Sequence, residues 1–127
     1  MVIKEGYKKT EIGLIPMDWD LKTLGDLTTR IGDGIHSTPN YNQNGDYFFV
    51  NGNNLINGKI IVTEETKKVS EEEYIVNKRD LNNSTILYSI NGTIGNIAFY
   101  NNEKIVLGKS ASYINLSNKV DKFFVYQ

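Results

Sequence analysis

Short apolar runs bounded by turn residues dominate the second half of the chain. Four of these runs are rich in β-branched and aromatic residues, and Asn-Gly, Asn-Asn and Gly-Lys pairs separate them: Thr85 to Ile90, Ile94 to Tyr100, Ile105 to Leu107 and Ser112 to Leu116. An earlier apolar run, Tyr47 to Val50, has the length of one buried strand. The pattern predicts a succession of strands around one core.

The first 30 residues have a different pattern, with apolar positions scattered around Pro16 and Trp19. Pro16 disfavours helix at Ile15, so we expect this stretch to run extended. We expect Trp19 to anchor it on the core, followed by a short helical turn through Leu21, Leu24 and Leu27. Residues 1–30 are therefore predicted to form an N-terminal strap and a short helix.

The middle of the chain combines a loop-rich stretch with a predicted strand and helix. Residues 31–58 contain five Gly and seven Asn around a single apolar patch, a composition typical of functional loops. Lys59 to Val69 has the β-branched content of a strand. Ser70 and Glu73 have the spacing of a capping box, which predicts a short helix through Tyr74 and Val76.

These elements predict an α+β fold that is β-rich and has a few short helices. A length of 127 residues suits a single domain, with residues 31–127 forming the β-rich core behind the strap. The chain ends on the apolar run Phe123 to Gln127, with no cap, turn or polar tail after it. We therefore expect a partial domain, truncated at its C-terminus.

Composition excludes several classes of protein. The net charge is −1, divided as −1 before residue 64 and 0 after it, so counterion release alone would give little affinity for DNA. The absence of Cys excludes disulfides and thiolate metal sites. No apolar run approaches the roughly 18 residues of a membrane span, and the N-terminus lacks the apolar block of a signal peptide. We expect a cytoplasmic protein without membrane contact.

Known catalytic motifs are incomplete in this chain. His36 is the single His, so neither a His cluster nor a catalytic His pair can form. Gly108-Lys109-Ser110 resembles the end of a phosphate-binding loop, but Glu103 stands where that loop needs Gly. No Asn/Asp-Pro-Pro-aromatic motif or glycine-rich cofactor loop supports methyl transfer. We expect no cofactor in this chain and no catalysis by it.

Two alternatives remain open from the residues. Asp46, Glu65 and Lys67 supply the bare elements of a metal-dependent nuclease, although chance often produces such spacing. The many Tyr and Asn residues would also suit a non-catalytic scaffold or a carbohydrate-binding domain.

Several loop motifs combine a structural interpretation with a functional one. Asn91-Gly92 is typical of a tight hairpin, and the residues after it suit hydrogen bonds with phosphates or base edges. His36 lies beside Ser37 and Thr38 in a loop whose backbone these side chains could equally satisfy. Lys109 fits a phosphate contact and a solvated turn equally well. Sequence physics alone favours the structural interpretation of the hairpin.

Taken in order, these motifs resemble one family. They resemble a target-recognition domain of the specificity subunit of type I restriction-modification enzymes, and the segments that carry the resemblance are Ile12 to Trp19, Leu24 to Asp26, Gly32 to Pro39, Asn51 to Leu55, Ser89 to Phe99 and Gly108 to Ala111. The most specific element is the Gly-x-Ile-Pro-x-x-Trp opening. The segments span nearly the whole chain.

The resemblance implies sequence-specific binding of double-stranded DNA. Such a subunit carries two recognition domains separated by two long helices, and each domain reads one half of a bipartite target. Partner methyltransferase (M) subunits modify adenine with S-adenosylmethionine, and a restriction (R) subunit uses ATP and magnesium to translocate and cut DNA. This chain departs from that plan because the second half of its domain is shortened and no heptad pattern for a spacer helix is present.

Within this resemblance, side chains in the loops are expected to read DNA. The candidates are His36, Ser37, Thr38, Asn53, Asn54, Asn91, Thr93, Asn96 and Lys109, the last for phosphate.

Overall fold

The computed structural model describes residues 5–92 and 94–127. Its strands are β1 (Tyr7–Thr10), β2 (Gly13–Pro16), β3 (Thr28–Asp33), β4 (Tyr47–Val50), β5 (Leu55–Ile56), β6 (Lys59–Ile60), β7 (Lys68–Val69), β8 (Thr85–Ser89), β9 (Ile97–Phe99), β10 (Ile105–Leu107) and β11 (Ala111–Leu116). The helices are α1 (Glu71–Asn77) and α2 (Lys122–Tyr126), with 3-10 turns at Gly25–Leu27 and Gly52–Asn54. The predicted β-rich α+β class is confirmed.

An antiparallel sheet in the order β3-β11-β8-β9 forms the larger part of the core. All six residues of β11 are buried, and this strand is paired on both edges. Tyr113 pairs with Gly32 on one side and with Leu87 on the other. β11 is therefore the structural centre of the domain.

A smaller sheet in the order β10-β4-β7 packs against the first. β10 runs parallel to β4, so both strands end on the same edge. Val50 and Leu107, at those two ends, lie in the same apolar cluster as Leu87 and Tyr113 of the larger sheet. The Tyr47 ring stacks on Tyr74 of α1, with centroids 4.1 Å apart, and burial raises the pKa of the Tyr47 hydroxyl.

The predicted helix and two of the strands form where the pattern placed them. Tyr47–Val50 and Ile105–Leu107 are strands, and the Ser70 side chain accepts a hydrogen bond from the Glu73 amide at the start of α1. The prediction of one strand over Lys59 to Val69 was wrong for the middle of this segment. Only its two ends are paired, β6 with β5 and β7 with β4, and a turn between Thr63 and Thr66 separates them.

The N-terminal strap runs extended, but its predicted anchor was wrong. β1 and β2 pair with each other and not with the two larger sheets, and Trp19, which follows them, is 61% exposed. The helical turn is limited to Gly25–Leu27, and Leu21 and Leu24 are also exposed. The Thr23 amide donates to the Asp26 carboxylate before this turn and lowers the pKa of Asp26.

The apolar run near residue 123 forms a short helix that is capped at its N-terminus. The Asp121 side chain accepts from the Phe123 amide at 2.9 Å, and α2 follows. Tyr126 stacks on Phe99 with centroids 4.7 Å apart, whereas Phe124 is 74% exposed. In the described part of the chain, no helix is long and apolar enough to cross a membrane.

Candidate functional site

Four loops converge at one end of the two sheets. β3, β4, β8 and β10 all finish at this end, where β11 begins, because β10 is parallel to β4 and β11 is antiparallel to both β3 and β8. The loops that follow are residues 34–39, 51–54, 90–96 and 108–110. We call this surface the loop end.

The loop at 108–110 is the hub of the loop end. The Gly108 amide donates to the Val50 carbonyl at 2.8 Å, and the Ile90 amide donates to the Ser110 carbonyl at 3.0 Å. The Ser110 hydroxyl accepts from the Gly52 amide at 2.9 Å and donates to Asn51 Oδ1 at 3.0 Å. One short loop therefore fixes the positions of two others.

The His36 loop is attached to the same hub by its backbone. The Gly34 amide donates to the Ala111 carbonyl at 2.9 Å, and the Ile35 amide donates to the Leu107 carbonyl at 2.8 Å. A Cβ atom on Gly34 would collide with the backbone carbonyls of Leu107 and Gly108, so only glycine permits this approach. Buried Ile35 anchors the loop, and His36 lies beside it with Nε2 3.7 Å from Asp33 Oδ2.

The expected hairpin is present, because β8 and β9 pair antiparallel, but the connection between them is longer than a tight Asn-Gly turn. The strand pairing stops at Tyr88 opposite Ile97, and the Ser89 amide bonds the Asn96 carbonyl at 2.9 Å, which leaves a longer loop. The Asn96 side chain donates to the Gly52 carbonyl at 3.1 Å. This bond ties the loop to the 3-10 turn at Gly52–Asn54.

Apart from His36, which faces Asp33, the candidate DNA-contact residues that the structure describes divide into two groups. Asn54 and Asn96 hold the fold: Asn54 Oδ1 accepts from the Asn51 amide at 2.9 Å and its Nδ2 donates to the Ile61 carbonyl at 3.0 Å. The other group is exposed and, within residues 5–92 and 94–127, its side chains make no hydrogen bond or ion pair: Ser37, Thr38, Asn53, Asn91 and Lys109. Thr93 lies outside the described residues.

Sequence reasoning missed two features of the loop end. Ser110 and Asn51 hold the loops together. The only feature of the sequence that could have indicated this role is their place in two motifs, Gly108-Lys109-Ser110 and Asn51-Gly52. Ile94 is 86% exposed, where the alternating pattern predicted a strand residue. Its apolar side chain projects from the loop end into solvent.

A groove opens beside Asn53. It encloses about 370 Å³, and its walls include Tyr41, Phe49 and Lys67. The rings of Tyr41 and Phe49 lie 5.9 Å apart, and Lys67 Nζ is 5.6 Å from the Tyr41 centroid. The groove therefore combines two aromatic rings and a cation with the Glu65 carboxylate.

The three nuclease candidates do not form one site. Glu65 and Lys67 line the groove beside Asn53, whereas Asp46 borders a different, apolar hollow with Phe48 and Glu103. Within the described residues, no three His, Asp or Glu side chains are grouped to hold a metal ion.

Comparison with known families identifies the class of this fold. The family model for the type I restriction modification DNA specificity domain matches residues 16–127. The chain belongs to this family. Its members are non-catalytic modules that recognise DNA sequence within the specificity subunit of type I restriction-modification enzymes.

Proposed function

We propose that the loop end reads one half of a bipartite double-stranded DNA target. The single observation that carries this proposal is the convergence of four loops, from distant parts of the sequence, on one hub beside β11. A rigid scaffold that presents free polar side chains is the arrangement that base readout requires.

The proposed chemistry of readout follows from the exposed side chains. Asn53 and Asn91 carry amides that match the donor and acceptor of adenine in the major groove. His36, Ser37 and Thr38 have shorter reach and suit single hydrogen bonds to a base or a phosphate. Ile94 offers an apolar surface that matches a thymine methyl group. Asn54 and Asn96 would act by holding these groups in place.

The net charge of −1 bears on how the domain is held on DNA. With little bulk positive field, it would depend on partner subunits for much of its affinity. We propose that methyltransferase and restriction subunits supply this affinity, together with all catalysis, S-adenosylmethionine, ATP and magnesium. The chain would then act in the cytoplasm as one target-recognition domain.

Lys109 provides the experimental test of this proposal. It is exposed and lies two residues before the start of β11, and we expect it to contact a phosphate. In the whole specificity subunit assembled with its methyltransferase, Lys109→Ala should weaken binding equally for all sequences. The slope of log affinity against log salt should fall by about 0.9, the value for one lost phosphate contact.

Lys119→Ala is the matched control. This lysine is also exposed but follows the far end of β11, about 20 Å from Lys109 for a six-residue strand. It should leave affinity and salt slope unchanged. Equal effects of the two substitutions, or a change of base preference with Lys109→Ala, would contradict the placement of DNA on the loop end.

A further inference from the structure

A basic hollow lies on the flank of the larger sheet, next to the loop end. It encloses about 510 Å³ and is lined by Arg30, Tyr74, Lys78, Arg79, Asp80, Leu81 and Tyr113. We propose that this basic hollow binds a backbone phosphate of DNA while the loop end reads the bases. The inference rests on the proposed function and extends it with a site for which the sequence motifs give no signal.

The charge balance of the hollow favours an anion. It has three cationic side chains and one carboxylate, in a chain whose overall net charge is −1. Within the described residues, no carboxylate lies within 4.0 Å of Arg30, Lys78 or Arg79, although ion pairs are found elsewhere. Three unpaired cations around one cavity repel each other, and a bound phosphate would relieve that repulsion.

Arg79 is fixed in position before any ligand arrives. Its Nε donates to the Asp33 carbonyl at 2.9 Å, and its Nη1 donates to the Asn77 carbonyl at 3.2 Å. The Nη2 group is left without a partner among the described residues. A guanidinium held by two carbonyls loses little entropy when it binds a phosphate oxygen, so the site is preorganised.

The floor of the hollow is built by the register of β3 and β11. Gly32 lies opposite Tyr113, and a Cβ atom on Gly32 would lie 2.8 Å from the Tyr113 hydroxyl, so the phenol occupies the space above the glycine. Arg30 lies two residues earlier on the same face of β3. On the other wall, Asn115 Nδ2 donates to the Asp80 carbonyl at 2.6 Å and holds the segment that carries Lys78 and Arg79.

The position of the hollow favours DNA over a free phosphate compound as its ligand. Asp33, which accepts the bond from Arg79, also faces His36 at 3.7 Å, so the hollow adjoins the loop end directly. Arg30 lies about 10 Å along the strand from Asp33. That separation is close to the roughly 12 Å width of the major groove, so a loop end placed in the groove would set the hollow against a flanking phosphate.

The test uses the double variant Arg30→Gln with Lys78→Gln in the whole specificity subunit assembled with its methyltransferase. Neither side chain makes a hydrogen bond in the described structure, so the fold should be unaffected. The control is Lys9→Gln with Lys119→Gln, two exposed lysines that remove the same charge. Affinity is measured as a function of salt concentration for two duplexes, one that carries the sequence motif methylated by the assembled enzyme and one that lacks it. In a second series, single phosphates that flank the half-site are replaced by neutral methylphosphonates.

We expect the double variant to bind both duplexes about 10-fold more weakly than the control, with the salt slope lowered by about 0.9, the value for one lost phosphate contact, and the recognised motif unchanged. One methylphosphonate should weaken binding by the wild type much more than binding by the double variant, in which Arg79 is the one remaining cation of the hollow. Equal behaviour of the variant and the control would overturn the inference while leaving the proposed function intact. Saturable binding of inorganic phosphate or ATP at Arg30, with DNA affinity unchanged, would overturn DNA as the ligand. Failure of the wild type to prefer any sequence would contradict the proposed function itself.

Discussion

Gly34→Ala is expected to lower the free energy of unfolding by about 3 kcal/mol, a large effect for one methyl group. The added Cβ atom would meet the backbone carbonyls of Leu107, at 2.6 Å, and of Gly108. Backbone atoms in a paired strand cannot rotate away as a side chain can, so the loop after β3 must separate from β10. Urea unfolding followed by circular dichroism measures the loss.

The control for this substitution is Gly25→Ala. A Cβ atom at Gly25 would lie 3.7 Å from Thr23 Oγ1, an ordinary contact, and its backbone does not require glycine. Its free energy of unfolding should change by less than about 1 kcal/mol. Equal losses from the two substitutions would show that the approach of Gly34 to Gly108 does not hold the loop end together.

Asn53→Ala is expected to change the DNA preference at a single position. Its amide is exposed and makes no hydrogen bond with the described residues, so its loss should remove one base contact, worth about 1 to 3 kcal/mol of discrimination. The fold should keep its stability, because no hydrogen bond within the described residues depends on this side chain. Competition between duplexes that differ at one base pair measures the effect.

Its neighbour Asn54 supplies the contrast. Asn54→Ala removes the bonds to the Asn51 amide and the Ile61 carbonyl, so it should destabilise the protein by about 1 to 3 kcal/mol. Binding should then weaken for all sequences without a change of preference. Uniform weakening by both substitutions would mean that Asn53 also supports the fold and does not read a base.

The elements that were predicted correctly depend on short stretches of chain. Tyr47–Val50 is apolar throughout, and Ser70 with Glu73 specifies the start of α1 within a single turn. The strand expected over Lys59 to Val69 failed because its two ends pair with different strands, a choice that local composition does not record. The prediction that Trp19 anchors the strap failed for a similar reason, since the burial of a side chain depends on which surface lies opposite it.

In the candidate site too, features that depend on neighbouring residues could be predicted, and features that depend on contacts between distant segments could not. Exposed polar residues such as His36, Asn53 and Lys109 could be selected from loop composition alone. The structural use of Asn96 depends on Gly52, which lies 44 residues away, and no pattern in the sequence reports that bond. The basic hollow brings Arg30 beside Lys78 and Arg79 only because Asn115 and Asp33 hold the intervening segments.

The central claim, that the loop end reads half of a bipartite target, is tested most directly by mapping modified adenines. The full specificity subunit that contains this chain is expressed with its methyltransferase, and single-molecule sequencing locates the methylated sites in wild type and in Asn53→Ala. We predict a bipartite motif in which Asn53→Ala relaxes one position of one half and leaves the other half unchanged. The absence of a bipartite motif, or a motif that Asn53→Ala and substitutions throughout the loop end leave unaltered, would contradict the account.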